Sequence, residues 1–114
     1  MNNLKLSGMN SSTNNFDAIE SLIYDEGLRI SAIDVHPELD VMLIVLNTKA
    51  VLHQKLSSHS RLKSASKEAL LHYQLIANGT GVHWPLLDED LSLKGFLKDE
   101  LMNVINGNKK AVAA

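Results

Sequence analysis

Apolar residues recur at helical spacing in three stretches of this chain and at strand spacing in three others. Phe16, Ile19, Leu22 and Ile23 form the first helical stripe, with Asn14 placed to cap it, Asp17 in its first turn and Gly27 as its stop. Leu22-Ile23-Tyr24 also fits a strand. From Leu28 to Val35 apolar and polar residues alternate with one phase slip at Ala32-Ile33, which predicts a strand with a bulge. His36-Pro37-Glu38-Leu39-Asp40 is a turn. Val41 to Leu46 is apolar on both faces, the pattern of a strand covered on both sides by helices or by another subunit. Asn47-Thr48-Lys49 then makes a short hairpin connection into Ala50–Leu56, where Leu52 and Leu56 alternate with His53 and Lys55.

Ser57 to Ala65 is polar, with one helical turn around Arg61-Leu62. Ser66 is placed as the N-cap of a helix carrying Leu70, Leu71, Tyr73, Leu75 and Ile76, which Asn78-Gly79 ends. Val82 and Trp84 suit a short strand before Pro85. The last helix has the clearest start: Ser92 as N-cap, with Leu91 ahead of it and Phe96 behind it as a hydrophobic staple. It is expected to run to about Ile105 and stop before Gly107. Residues 1–15, rich in Asn and Ser, read as a disordered tail and residues 106–114 as a frayed one, leaving a single domain over 16–105. The short connections predict an α+β fold: a small antiparallel sheet of about three to four strands packed on two or three helices.

Composition narrows the function classes. A net charge of −2 gives no global attraction to nucleic acid or membrane, yet the charge is segregated. Seven acids and one cation, Arg29, lie between Asp17 and Asp40, whereas Val41 to Lys67 contains no acid at all. With no cysteine, disulfides and thiolate zinc sites are excluded, and the composition suits a reducing cytoplasm. No basic-then-apolar leader and no run of membrane-spanning length is present, so no membrane association is expected.

Little of the polar sequence assembles into a reaction. The five histidines lack the helical three- or four-residue spacing of a metal pair, so neither metal nor cofactor is expected. Asp88-Glu89-Asp90 with His83 nearby is raw material for acid–base work, but acids just ahead of a helix also stabilise its N-terminal end by about 0.3–1 kcal/mol each. That structural role is the better supported one. Gly79-Thr80-Gly81 lacks the third glycine of a dinucleotide loop and reads as a turn that brings backbone close to the Trp84 ring. The basic stretch Lys49, Lys55, His59, Arg61, Lys63 and Lys67 offers a phosphate-contacting or partner-binding patch. No aromatic residue is interleaved for stacking, so an ordinary solvated face competes with that reading, as does complementarity to the chain's own acidic segment.

The motif Gly79-x-Gly81-Val82-His83-Trp84-Pro85-x-Leu87-Asp88-Glu89-Asp90-Leu91-Ser92, within Glu68–Leu97, resembles the small bacterial family known as domain of unknown function 2442. The hairpin Val41–Leu56 is similar to that family's strand-turn-strand. Ala77 stands where many relatives carry glycine, Asn47-Thr48 replaces the commoner Asp-Gly turn, and Ser57-Ser58-His59-Ser60 replaces a more apolar segment. The resemblance implies an antiparallel sheet packed on helices, and a gene neighbourhood that looks like toxin–antitoxin pairing. Some relatives append a helix-turn-helix domain, for which these residues have no room, and no catalytic residues are established for the family.

Together these readings make the chain a non-catalytic, antitoxin-like partner of another small protein, with a role in transcriptional control. An enzyme or small-ligand binder built on His83 and Asp88–Asp90 is the competing class. Trp84 is expected to anchor the core, and a homodimer is expected to cover the outer side of Val41–Leu46. Helix Phe16–Glu26 is the rival cover.

Overall fold

A computed structural model of the chain describes residues 17–113, with side chains to residue 107. Asn14, Phe16 and the tail read over residues 1–15 lie outside the described residues. The fold is α+β, and the described residues form two three-stranded antiparallel sheets and four helices where one sheet was expected.

The first helix, α1 (Ala18–Tyr24), starts one turn later than the Asn14 cap implies, because Asp17 and Glu20 form a complete capping box. Gly27 then turns the chain at φ +80°. Strands β1 (Ile30–His36), β2 (Val41–Leu46) and β3 (Val51–Gln54) make the first sheet in that order. The phase slip of β1 is real, and the register shift falls between Ile30 and Ala32, at Ser31, one residue before the expected place. The β1–β2 connection is a 3₁₀ turn, Pro37–Leu39, closed by Asp40 at φ 54°. In the β2–β3 hairpin Lys49 takes the left-handed position, φ 78°.

Asn47 explains the departure from Asp-Gly at that hairpin. Its side-chain oxygen accepts from Arg29 N at 3.0 Å while its amide donates to the Gly27 carbonyl at 2.9 Å. An amide does both where the carboxylate of Asp can only accept, so Asn47 pins the α1–β1 loop to the hairpin.

Beyond β3 come a 3₁₀ turn (Leu56–Ser58), the single helical turn α2 (Ser60–Lys63) and helix α3 (Lys67–Leu71), capped by Ser66 as expected. The helix expected to reach Ile76 stops at Leu71. Gln74–Ile76 is instead strand β4, paired with β5 (Gly81–Trp84) in the register Ile76↔Gly81, because the ladder hydrogen bonds to β5 override a helical apolar pattern. Strand β6 (Glu89–Ser92), not anticipated, completes the second sheet. Helix α4 (Leu93–Ala113) follows at once, with Ser92 Oγ accepting from Gly95 N at 3.0 Å. Gly107 does not end it, so the stop expected at Ile105 falls inside a helix.

The core lies where the inner face of the first sheet (Ile33, Val35, Met42, Ile44, Leu52) meets Val82 and Trp84 of the second, closed by Ile23, Leu62, Leu70, Leu93 and Phe96 from the helices. Trp84 is wholly buried and donates its indole N–H to the Leu70 carbonyl at 3.0 Å. Helix α1 packs on α4 and places Ile23 in this core, with Met42, Ile44 and Leu46 of β2. Val41, Leu43 and Val45, on the other face of β2, are half-buried.

Candidate functional site

The acidic triplet does not cap α4. Asp88 and the two residues that follow lie in the β5–β6 hairpin, where Pro85 opens a turn (Leu87 N to Trp84 O, 3.1 Å) and Asp88 sits at φ 51°. No acid occupies the first turn of α4, so the helix-end reading of Asp88–Asp90 is corrected. The alternation of β6 then separates the three: Glu89 stands opposite Trp84, and Asp90 stands opposite His83 on the outer face. His83 Nδ1 and Asp90 Oδ1 are hydrogen-bonded. Of the expected His83-plus-triplet constellation, only this pair comes together.

The glycine pair makes its close approach elsewhere than at the Trp84 ring. Gly79 is left-handed at φ +82°, and a β-carbon there would stand 3.1 Å from the Ile30 carbonyl and 3.3 Å from Arg29 Cβ. A β-carbon on Gly81 would meet Ile76 Cγ1 at 3.1 Å.

The basic stretch is likewise dispersed. Arg61 donates to the Asp88 carbonyl at 2.6 Å and lies 3.4 Å from its carboxylate, clamping the β5–β6 hairpin. Lys55 and Lys63 stand near Asp40, whose carboxyl is held below the usual aspartate range first by the Ser57 hydroxyl (2.6 Å) and amide (2.8 Å) and then by these two ammonium groups. Lys49 sits at the hairpin tip, separated from Lys55 by the length of β3, and Lys67 begins α3. Of the six residues, Lys55 and Lys63 are brought to the same carboxylate, Asp40. The acidic segment also turns to α4: Lys94 bridges Asp17 (3.1 Å) and Glu20 (2.9 Å), the Asp17 carboxyl being lowered first by the Glu20 amide and then by Lys94, the Glu20 carboxyl first by Lys94 and then by the Asp17 amide, while the two carboxylates raise the ammonium.

His59 belongs to a network that the sequence alone does not reveal. Gln54, buried on the inner phase of β3, donates its amide to Asp99 Oδ2 (3.3 Å) and offers its oxygen to His59 Nε2 (2.7 Å). That arrangement places the hydrogen of His59 on Nε2. The signal was a polar residue at a buried position of the alternation Leu52, Gln54, Leu56. His59 and Asp99 line two adjoining grooves, of about 460 Å³ and 560 Å³. The larger is walled by polar groups, among them Lys55, Ser58 and Asn103. The smaller lies beside α4, where Ile76, Gly81 and Asp90 of the second sheet and Gly95 and Asp99 of α4 line it over the buried Ile23 and Phe96. His36 lies between Asp34 (3.0 Å) and Glu38 (3.7 Å), and His72 bonds its own helix at the Glu68 carbonyl (2.9 Å). Among the described residues no group of three His, Asp or Glu is placed to hold a metal ion, and no helix is long and apolar enough to cross a membrane.

The distal half of α4 carries Leu101, Met102, Val104 and Ile105, each about half exposed (55%, 53%, 54% and 48%).

No curated protein matches the chain. Two solved structures share its fold. A crystal structure of a protein of unknown function from Rhodospirillum rubrum has a TM-score of 0.57 at 24% identity, covering 63% of this chain and 87% of that one. A solution NMR structure of an uncharacterised protein from Chromobacterium violaceum has a TM-score of 0.58 at 24% identity, covering 77% and 84%. The sequence profile of the family described as protein of unknown function (DUF2442) matches residues 32–100, from β1 through the first turns of α4, and the chain belongs to that family.

Proposed function

We propose that this chain is a non-catalytic, antitoxin-like component of a small two-protein module, binding its companion through apolar surface and taking part with it in transcriptional control in the cytoplasm. The observation that carries this reading is the distal half of α4. Four large apolar side chains half exposed on consecutive turns are more than isolated surface residues require, and such patches mark protein interfaces. Half-buried Val41, Leu43 and Val45, with exposed Val51 beside them, support a second copy of the chain as the cover of the first sheet. The polar groups point the same way, since most of those that would serve a reaction hold the chain's own turns.

Purification of the tagged chain from its native cells tests this. A stoichiometric small companion is expected, released by the double substitution Leu101→Glu and Ile105→Glu. A chain that returns alone removes the reading.

The competing class, a small-ligand binder or enzyme at His83, has one observation in its favour: Asp90, bonded to His83, lines the 460 Å³ groove. Thermal stabilisation by a small molecule, abolished in Asp90→Asn, is the result that would favour it.

A further inference from the structure

The polar groove between the end of β3 and α4 differs from the rest of the surface in how its groups are bonded. Lys55 and Ser58 line it from the end of β3 and the 3₁₀ turn, and Asp99, Met102 and Asn103 line it from α4. Gln54, only 7% exposed, ties the two sides together from the core phase of β3, where its neighbours in the alternation are Leu52 and Leu56. Burying an amide costs free energy unless it is hydrogen-bonded, and both bonds of Gln54 go to groups of this groove, Asp99 Oδ2 at 3.3 Å and His59 Nε2 at 2.7 Å. They hold the His59 ring so that Nδ1, the acceptor of the neutral imidazole, has no bonded partner among the described residues. The same is true of Asp99 Oδ1, the Lys55 ammonium, the Ser58 hydroxyl and the Asn103 amide. Lys55 acts on Asp40 as a nearby charge without forming an ion pair with it.

The free groups restrict what can fill the groove, whose volume of about 560 Å³ falls within the roughly 300–1,000 Å³ of small-molecule clefts. Lys55 and Asp99 line it with opposite charges and form no ion pair with each other, so a simple anion would meet Asp99 and a simple cation would meet Lys55. A molecule carrying both charges satisfies both sides. His59 Nδ1 calls for a donor, so the cationic group must bear N–H. We propose that the groove binds a zwitterionic α-amino acid, its carboxylate on Lys55 and Ser58, its ammonium on Asp99 and His59 Nδ1, and an apolar side chain beside Met102. Gln54 is then a positioning residue, holding the two acceptors that the ammonium meets. The site is distinct from the His83–Asp90 pair and does not depend on the protein-binding reading.

The full chain, labelled with ¹⁵N, is titrated with L-methionine, with its methyl ester, which lacks the carboxylate, and with N-acetyl-L-methionine, which lacks the ammonium. L-Methionine is expected to move the amide signals of Lys55, Ser58, His59 and Asn103, and to bind at least about tenfold more tightly than either derivative. Lys55 and Asp99 are exposed, so Lys55→Ala and Asp99→Asn should each weaken binding about tenfold while melting cooperatively. Gln54→Met keeps the length of the side chain without its polar atoms, and a similar loss of affinity with cooperative melting marks positioning rather than folding. If that variant fails to fold, the two surface variants still decide. No shift up to the solubility limit of L-methionine, equal binding of either derivative, or full affinity in both surface variants overturns the site. Shifts confined to the amides of His83 and Asp90 place the ligand at the other pair and overturn it as well.

Discussion

Trp84 is the position at which a single substitution tests the whole packing argument. Its side chain has no exposed surface and lies where both sheets and the helices meet, so nothing short of repacking three layers can fill the space it leaves. Truncation to alanine is expected to cost roughly 3–5 kcal/mol through lost burial and the cavity. Loss of the indole N–H adds about 1–3 kcal/mol, because the Leu70 carbonyl that accepts it at 3.0 Å keeps no partner from that ring. Domains of this size are stable by about 5–15 kcal/mol, so Trp84→Ala should be molten or insoluble. Trp84→Phe separates the two contributions, keeping an aromatic ring and losing the donor. At about 1–3 kcal/mol, and about 4–8 °C for each, its thermal midpoint should fall by roughly 4–24 °C with cooperativity intact. Urea and thermal melts followed by circular dichroism make the measurement. If Trp84→Ala unfolds cooperatively at the wild-type temperature, Trp84 is no anchor and the packing argument fails with it.

Asn47→Asp keeps the acceptor for Arg29 N but loses the donor to the Gly27 carbonyl, so calorimetry should register a loss of about 0.5–1.5 kcal/mol, and an unchanged midpoint would dismiss the Asn47 bridge. Gly79→Ala combines a left-handed backbone with a 3.1 Å approach to the Ile30 carbonyl and should cost more than Gly27→Ala, which is left-handed but meets nothing within 4 Å; equal costs would show that the approach to β1 is unimportant. Folding lowers the Asp40 carboxyl below its ordinary 3.8, so the stability it contributes is present above that value and is lost as pH falls through the folded value. Thermal midpoints of wild type and Asp40→Asn, which retains a left-handed preference, should therefore converge on acidification, and a gap independent of pH would contradict the assignment. Sedimentation at low micromolar concentration should return twice the 12.6 kDa chain mass, and a single-chain mass at every concentration would retire the second copy on β2.

Elements governed by local chemistry were legible in the sequence. Ser92 and Ser66 both cap helices where the pattern placed them, since a hydroxyl accepting from the third residue of a helix is decided within four positions. The Arg61-Leu62 turn is local for the same reason, while the bulge in β1 and the β2–β3 hairpin show in the alternation and turn residues of their own segments. What failed depended on strand partners that the apolar pattern does not name. Leu70, Leu71, Leu75 and Ile76 satisfy a helical period, and only the ladder with β5 shows that the last two belong to a strand. Glu89 and Asp90 looked like helix-start acids because charged residues seldom announce a strand, yet they pair with Trp84 and His83. At Gly107 a residue that often ends helices sits within one, at a cost of about 1 kcal/mol that the helix tolerates.

The same distinction governs the candidate site. Charge segregation along the sequence suggested two opposed surfaces, but charges close in space rather than in sequence decide what solvent sees. Arg61 spends its hydrogen bonds on Asp88, Asp40 draws on Ser57 with Lys55 and Lys63 near it, and Asp17 with Glu20 fastens α1 to α4 through Lys94. Each of these contacts steadies a turn or a helix junction, and each removes a group from the pool free to meet substrate or phosphate. Apolar surface is left facing solvent at Ile76, on the outer side of β2, and on the turns from Leu101 to Ile105. Exposed carbon surface contributes free energy only when another surface removes it from water, by about 25 cal/mol for each Å² buried, and a small domain gains stability by doing so. The association proposed for this chain would draw on that surface.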